Sequence, residues 1–294
     1  MAERKKKPLT RRLIQLYTAL LYNAHLKGFA EGKIYTGPLK SICVPGLNCY
    51  SCPGAVAACP LGALQNAVAA SADRPAFYVI GLLLLFSLLL GRVICGFLCP
   101  FGLLQELLHK IPSKKLRKSA FTRKLSRLKY AVLLIFALLI PAWFALRRLP
   151  LPAFCKFICP AGTLEGAVFL LLHPANGALR AMTGGLFLWK LTLLVLILTG
   201  CVFVFRAFCR FLCPLGALYG LMARLALLGV RVEESRCTDC GACLRRCPMD
   251  IRKVGDSECV HCGDCIGICP EKAISFRAGS IVLRGWESGK EELP

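Results

Sequence analysis

Acidic residues are scarce in this 294-residue chain: 16 Asp and Glu stand against 38 Lys and Arg, a formal charge of +22. There is no G-x-G-x-x-G loop, no C-x-x-C-H haem attachment and no recognisable flavin site. The chain therefore brings no dinucleotide or haem chemistry of its own, and partners must supply any substrate site. The polar balance of an ordinary soluble domain is missing too, since 56% of residues are hydrophobic and the mean hydropathy is +0.59. No nucleic-acid motif accompanies the basic residues, which concentrate beside apolar stretches. They read as topology signals and contacts with membrane lipid, and nucleic acid is excluded as a partner. Met1 to Arg12 is basic and lacks a clear cleavage site after the first apolar stretch, so a retained anchor is expected rather than a removed signal.

Cysteine, by contrast, is abundant at nineteen residues, and it falls in ligand spacings rather than as a short secreted disulfide scaffold. Two C-terminal runs, Cys237-x-x-Cys240-x-x-Cys243-x-x-x-Cys247-Pro248 and Cys259-x-x-Cys262-x-x-Cys265-x-x-x-Cys269-Pro270, have the double ferredoxin spacing. Three cysteines at intervals of three wrap three corners of a cubane, while the fourth, before proline, leaves the loop and reaches across. Cys237, Cys240, Cys243 and Cys269 are expected to hold one 4Fe-4S cluster, and Cys259, Cys262, Cys265 and Cys247 the other. Zinc and disulfides are the bland alternatives. Structural zinc usually takes separated ligand pairs, and the connection from Pro248 to Glu258 suits a ferredoxin.

Ala76–Ile94, Leu128–Leu146 and Leu186–Phe205 read as transmembrane helices, the last despite Lys190. Leu13–Ala30 is a fourth candidate, with an interfacial helix as its alternative because Asn23, His25 and Lys27 lie in its second half. Met1–Arg12 carries six basic residues against one acidic, and His109–Lys129 carries nine Lys and Arg with no acidic residue. Both are expected on the cytoplasmic side, which places the N- and C-termini of a multi-pass protein of a prokaryotic cytoplasmic membrane inside. The expected fold is mainly α: a polytopic membrane helical bundle of about four spans, then a C-terminal α+β bacterial-type two-cluster ferredoxin domain. The expected domains are 1–231, with halves at about 9–110 and 128–229, then 232–278, then a tail over 279–294 whose acidic end, Glu287–Glu292, is solvated.

The membrane part repeats itself. Cys-Pro-x-Gly-x-Leu begins at Cys59, Cys99, Cys159 and Cys213, and in the last three a further cysteine lies four residues earlier, at Cys95, Cys155 and Cys209. On the topology above the motifs alternate outside and inside, making two parallel repeats about an axis along the membrane normal. Proline suits the first position of a new helix, so the cysteine before it sits at a helix N-terminus, whose free N–H groups favour a thiolate or an anionic cluster. The glycine allows close approach of backbone to a cofactor. Cys95, Cys99, Cys209 and Cys213 are candidate ligands of an inner membrane cluster. Cys52, Cys59, Cys155 and Cys159 are candidates for an outer one, with Cys49 or Cys43 as alternatives to Cys52. Two alternatives stay open: the stretch Cys43–Cys59 holds a cluster of its own, or the pairs are buried thiols without metal. Arg92 and Arg206, three residues before each inner pair, either compensate cluster charge or anchor spans. Cys201 reads as packing, Lys190 as snorkelling to an interface, and the segment after Cys213-Pro214 as lying near the interface.

Through Cys95-Gly96-Phe97-Leu98-Cys99-Pro100, Cys209-Arg210-Phe211-Leu212-Cys213-Pro214 and the two ferredoxin runs, the chain resembles the membrane-bound 4Fe-4S ferredoxin family that includes the NapH-type proteins. It is also similar to the polyferredoxin membrane part of NosR-type regulators. The resemblance covers about Arg11 to Phe276 and implies electron transfer between the quinol pool or a cytoplasmic donor and an extracytoplasmic reductase. The Cys43–Pro53 stretch and the Cys155/Cys159 pair depart from the pattern and favour a wire across the bilayer. The leading expectation is such a conduit, between a cytoplasmic electron donor or acceptor and an extracytoplasmic reductase or flavin or haem protein. The alternatives are quinol oxidation, with His25, Lys27, Glu106 and His109 as candidate proton acceptors and quinone as partner, and a thiol-redox assembly or regulatory role.

Overall fold

A computed structural model describes residues 9–70, 77–116 and 118–284. Most of the basic N-terminal stretch, up to Pro8, and the acidic end lie outside the described residues, as do Ala76 and Arg117 of the expected spans and loops. The main helices are α1 Leu9–Tyr22, α2 Pro60–Ala69, α3 Phe77–Leu89, α4 Pro100–Leu108, α5 Ala120–Leu146, α6 Gly162–Leu172, α7 Gly185–Phe203 and α8 Pro214–Leu221. A three-stranded antiparallel sheet follows: β1 Leu228–Val232, β2 Ile274–Ala278 and β3 Ile281–Arg284. β1 pairs with β2 through Val230 opposite Phe276, so the strands before and after the two ferredoxin runs close that unit. The boundary expected at 232 thus falls at the end of β1, and residues 281–284 of the expected tail form β3.

Among the described residues, α5 and α7 are the helices long and apolar enough to cross a membrane, and just 33% and 17% of their apolar windows are buried. Leu134 and Leu139 of α5 and Leu188 and Leu196 of α7 face outward. Of the other two expected spans, α3 is described over 13 residues and α1 over 14. Leu13–Ala30 is not one helix: α1 ends at Tyr22, and the Asn23 side chain bonds Ala19 O at 3.0 Å and Asn48 Oδ1 at 3.1 Å. Asn23 and His25, two of the polar residues that weakened this span, dock it onto the following loop.

α1 is inside out for a helix in water. Leu13, Leu16, Tyr17, Leu20 and Leu21 are exposed, while Arg11, Gln15, Thr18 and Tyr22, spaced by four, three and four, form its buried face. α5 carries a π-helical stretch, Leu133–Leu139, just before Pro141. Proline has no N–H to return to the preceding turn, and the wider turn absorbs the lost bond. α4 packs on α1 and α7, and α8 packs on the middle of α5, Leu128–Leu139, so the helices after Cys99 and Cys213 lie inside the bundle. This corrects the interfacial placement of the segment after Cys213: Pro214, Leu215, Gly216, Ala217, Tyr219 and Gly220 are all buried. Small residues on that face let the helix press against its neighbours.

Candidate iron–sulfur sites

All four Cys-Pro motifs adopt one local structure. The chain is extended at the cysteine and helical from the proline onward, and the glycine N–H three residues on turns back to the thiol. Gly162 N donates to Cys159 Sγ at 3.3 Å and Gly216 N to Cys213 Sγ at 3.3 Å, and the Gly62 and Gly102 amides face Cys59 and Cys99 in the same way. Each thiol therefore sits at the positive end of a helix. The glycines differ by side of the molecule. A Cβ at Gly62 or Gly162 would meet Cys155 Sγ at 3.8 Å or Cys49 Sγ at 3.9 Å. One at Gly102 or Gly216 would meet Arg206 or Arg92, each at 3.4 Å.

Cys95, Cys99, Cys209 and Cys213 line one pocket, closed by Gly46, Leu47, Ile94, Leu215, Gly216 and Tyr219. The two halves of the repeat each supply two of these thiols. On the other side Cys159 lies within electrostatic reach of Cys155, Cys49 and Cys59. Cys49 is thus the cysteine brought to Cys59, Cys155 and Cys159. Cys52 faces the Gly54 and Ala55 amides, and Cys43 bridges to Ala58. Cys52 stays outside because its loop turns it away while Cys49 N is pinned to Glu165 Oε2 at 2.7 Å.

In the ferredoxin unit Cys247, Cys259, Cys262 and Cys265 interact with one another, and Cys243 with Cys237 and Cys240. Cys269 and Cys243 pack against the same small core of Val230, Ile266 and Ile274. Asp239 and Gly241 of the first run, and His261 and Gly263 of the second, occupy matching left-handed positions. That turn lets successive cysteines face one centre, and glycine adopts it without strain. Cys237 and Cys240 are exposed, the others less so.

Buried cations surround these thiols. Arg206 donates from Nη1 to Cys95 O at 2.5 Å and pairs with Glu106 at 2.7 Å, and Glu106 also takes a two-pronged contact from Arg11 at 2.8 Å. Glu106 is thereby committed to two arginines, not exposed as a proton acceptor. Arg92 bonds Ser257 O and lies 3.6 Å from Glu258, which Lys129 holds at 2.5 and 2.7 Å. Both arginines are fully buried beside the inner quartet rather than anchoring a membrane surface. Lys190 does not snorkel outward; its Nζ donates to Cys155 O at 3.3 Å. His25 contacts Pro53 O, Lys27 pairs with Glu31 at the surface, and His109 packs edge-on against Phe205.

Asp250 fastens the ferredoxin unit to the membrane part, accepting from Thr122 at 2.9 Å, Arg123 at 3.2 Å and Arg210 at 2.6 Å. Burial works to raise its pKa, but the bonds from Thr122 and Arg123 and the charges of Arg210 and Arg123 outweigh it and hold the carboxyl below its ordinary value. Burial first, then the charges of Arg92 and Arg231, push His261 down to about 4, so its ring is neutral and its Nδ1 accepts from Val230 N at 2.9 Å.

The residues fit iron–sulfur clusters. The Cys59, Cys99, Cys159 and Cys213 thiols each face an amide at a helix start, as a multiply charged anionic cluster needs, while among the described residues no three Cys, His, Asp or Glu close around a single metal ion. Arg92 Nε and Nη2 are buried without a hydrogen-bond partner although the guanidinium lies beside Cys95 and Cys209. Orphaned donors of this kind are costly unless an acceptor arrives, and thiolate or sulfide sulfur is one.

A 4Fe-4S binding domain matches the chain three times, over residues 75–119, 130–176 and 185–232. These stretches contain the Cys95/Cys99, Cys155/Cys159 and Cys209/Cys213 pairs, not the C-terminal runs. The matches make the apolar part a repeated 4Fe-4S binding unit. The chain is similar to 4Fe-4S ferredoxin-type proteins. The methylamine utilization ferredoxin-type protein MauN of Paracoccus denitrificans is 33% identical over 56% of this chain and 51% of its own. The regulatory protein NosR of Pseudomonas aeruginosa is 32% identical over 59% of this chain and 22% of its own. An uncharacterized protein of Methanocaldococcus jannaschii is 29% identical over 58% of this chain and 64% of its own. The chain thus spans 22 to 64% of the lengths of these relatives. No solved structure matches it.

Sequence reading passed over Gln65, Gln105 and the Leu47–Asn48 amides. The first two stand at one fixed place after a Cys-Pro motif, a signal available in the sequence. The amides carry none.

Proposed function

We propose that the chain conducts electrons across a prokaryotic cytoplasmic membrane through four 4Fe-4S clusters, between a cytoplasmic donor or acceptor and an extracytoplasmic reductase or flavin or haem protein. Cys237, Cys240, Cys243 and Cys269 hold the first. Cys259, Cys262, Cys265 and Cys247 hold the second, Cys95, Cys99, Cys209 and Cys213 the inner membrane one, and Cys49, Cys59, Cys155 and Cys159 the outer. Each quartet, when loaded, supplies a one-electron redox centre.

One observation carries this reading: backbone contact joins the quartets in series. Gly96, between Cys95 and Cys99, lies against Val260 and Cys262, where an added Cβ would meet Val260 O at 2.4 Å and Cys262 N at 3.8 Å. Beyond the inner quartet, the Leu47 N–H faces Cys99 while the next amide, Asn48 N–H, faces Cys59. Two successive peptide groups, joined at Leu47, therefore link inner to outer thiols. The outward leucines of α1, α3, α5 and α7 support a multi-pass arrangement with both termini cytoplasmic, as the basic loops require.

Iron and acid-labile sulfide per chain, measured on anaerobically purified protein, test it. About sixteen irons are expected, falling by about four in the double variant Cys99→Ser, Cys213→Ser. About eight, unchanged in the variant, would confine clusters to the ferredoxin unit and overturn the conduit.

A second reading, quinol oxidation, is favoured by a cleft beside Cys247 in which His109 meets Phe205, Val204 and Leu116. Reduction of the clusters by a quinol analogue, lost in His109→Ala, would favour it. Cys95→Ser abolishing function at unchanged iron content would instead favour thiol exchange.

A further inference from the structure

The sixth residue after each Cys-Pro cysteine is Gln65, Gln105, Glu165 or Tyr219. Each reaches from its own helix into the opposite half of the repeat. Gln65 and Gln105 are fully buried and make the same set of bonds. Gln65 Nε2 donates to Leu61 O at 3.2 Å and to Cys155 Sγ at 3.2 Å, and its Oε1 accepts from Phe154 N at 2.9 Å. Gln105 Nε2 donates to Phe101 O at 3.2 Å and to Cys209 Sγ at 2.9 Å, and its Oε1 accepts from Phe208 N at 3.1 Å and Cys209 N at 3.3 Å. Backbone N–H groups have only hydrogens to offer, so they fix which end of each amide is the oxygen. The NH2 end is left facing sulfur.

The other two positions hold the loop that runs between the quartets. Glu165 Oε2 accepts from Cys49 N at 2.7 Å, and Tyr219 Oη donates to Pro45 O at 2.8 Å, four residues before Cys49.

We infer that this sixth position is the positioning site of every motif, and that Gln65 and Gln105 each donate a hydrogen bond to the sulfur of a cluster-ligating cysteine of the opposite half, raising the reduction potential of the outer and inner cluster respectively. A donor to the sulfur stabilises the added electron of the reduced cluster, which is the physical lever. The matched geometry gives both membrane clusters the same donor. Glu165 and Tyr219 set the loop from which Leu47 N–H and Asn48 N–H reach the two quartets. The inference rests on Cys155 and Cys209 being ligands, as in the proposed function.

The test uses the full-length protein and the near-isosteric variants Gln65→Met and Gln105→Met, with iron content, redox titration by EPR and pulsed EPR on protein labelled with 15N at the glutamine side chain. Gln105→Met is expected to shift only the inner cluster to more negative potential, and Gln65→Met only the outer, each at unchanged iron. The unsubstituted protein shows 15N coupling to both membrane clusters, and each variant loses one of the two. About sixteen irons with unmoved potentials in both variants overturns the inference alone. About eight irons in the unsubstituted protein overturns it together with the proposed function. Should a variant lose iron, the coupling in the unsubstituted protein decides, and its absence overturns the inference.

Discussion

Asp250 receives Thr122, Arg123 and Arg210 at once, and Arg210 is itself buried. Asp250→Asn leaves that guanidinium without its counter-charge. We expect a destabilisation of about 3–5 kcal/mol, read from denaturant-driven loss of cluster absorbance. The sign of the pH effect follows from the lowered folded pKa. The carboxylate's contribution is fully present above its ordinary value of 3.8 and is lost as pH falls through the lower folded value. It is therefore level from pH 8 to 5, and an acid-side decline seen in the native protein is weaker in Asp250→Asn. Cys49 and Cys52 give a second residue-scale prediction: Cys49→Ser removes about four irons per chain and Cys52→Ser none, by iron assay. Spacing alone left that choice open, because both cysteines precede Cys59 at plausible distances. Contact of the loop with Glu165, 116 residues away in sequence, separates them.

Among the elements, the turn Ile94–Leu98 shows how closely the two parts of the chain approach. A methyl group at Gly96 would press on backbone that has no rotamer to retreat into. Gly96→Ala is expected to retain both ferredoxin clusters while slowing electron transfer between them and the membrane part several-fold, measured by flash reduction and cluster-resolved reoxidation. The helix starts at Pro60, Pro100 and Pro214 were legible from Cys-Pro-x-Gly because proline and an N-terminal cap act locally. The fate of α1 was not. Its apolar residues suggested a span, yet its inward face is Arg11, Gln15, Thr18 and Tyr22, a polarity visible only once α4 is packed against it.

For the whole molecule, basic charge gathers beside the ferredoxin unit. A cleft beside Cys247 is lined by Lys115, Lys118, Arg123, Arg210, Arg245 and Arg252, with Asp250 the only carboxylate among its described residues. It suits an acidic redox partner. Reduction of the clusters by such a carrier is expected to slow steeply as ionic strength rises. Lys118→Glu with Arg252→Glu is expected to weaken that salt dependence and lower the rate at low salt, measured by stopped flow. Composition, cysteine spacing and the fourfold motif by themselves determined that this chain is an iron–sulfur protein with a repeated apolar part and a two-run ferredoxin unit. Those features are local: a ligand spacing, a helix start and an apolar run each act within a few residues. Only the tertiary structure decided that Cys49 stands beside Cys59, Cys155 and Cys159, that Arg92 and Arg206 are buried across from the opposite half's glycines, and that a single residue, Leu47, separates the amides facing inner and outer thiols. These are relations between segments not adjacent in sequence, created by packing two halves of a repeat against each other, and no local pattern records them.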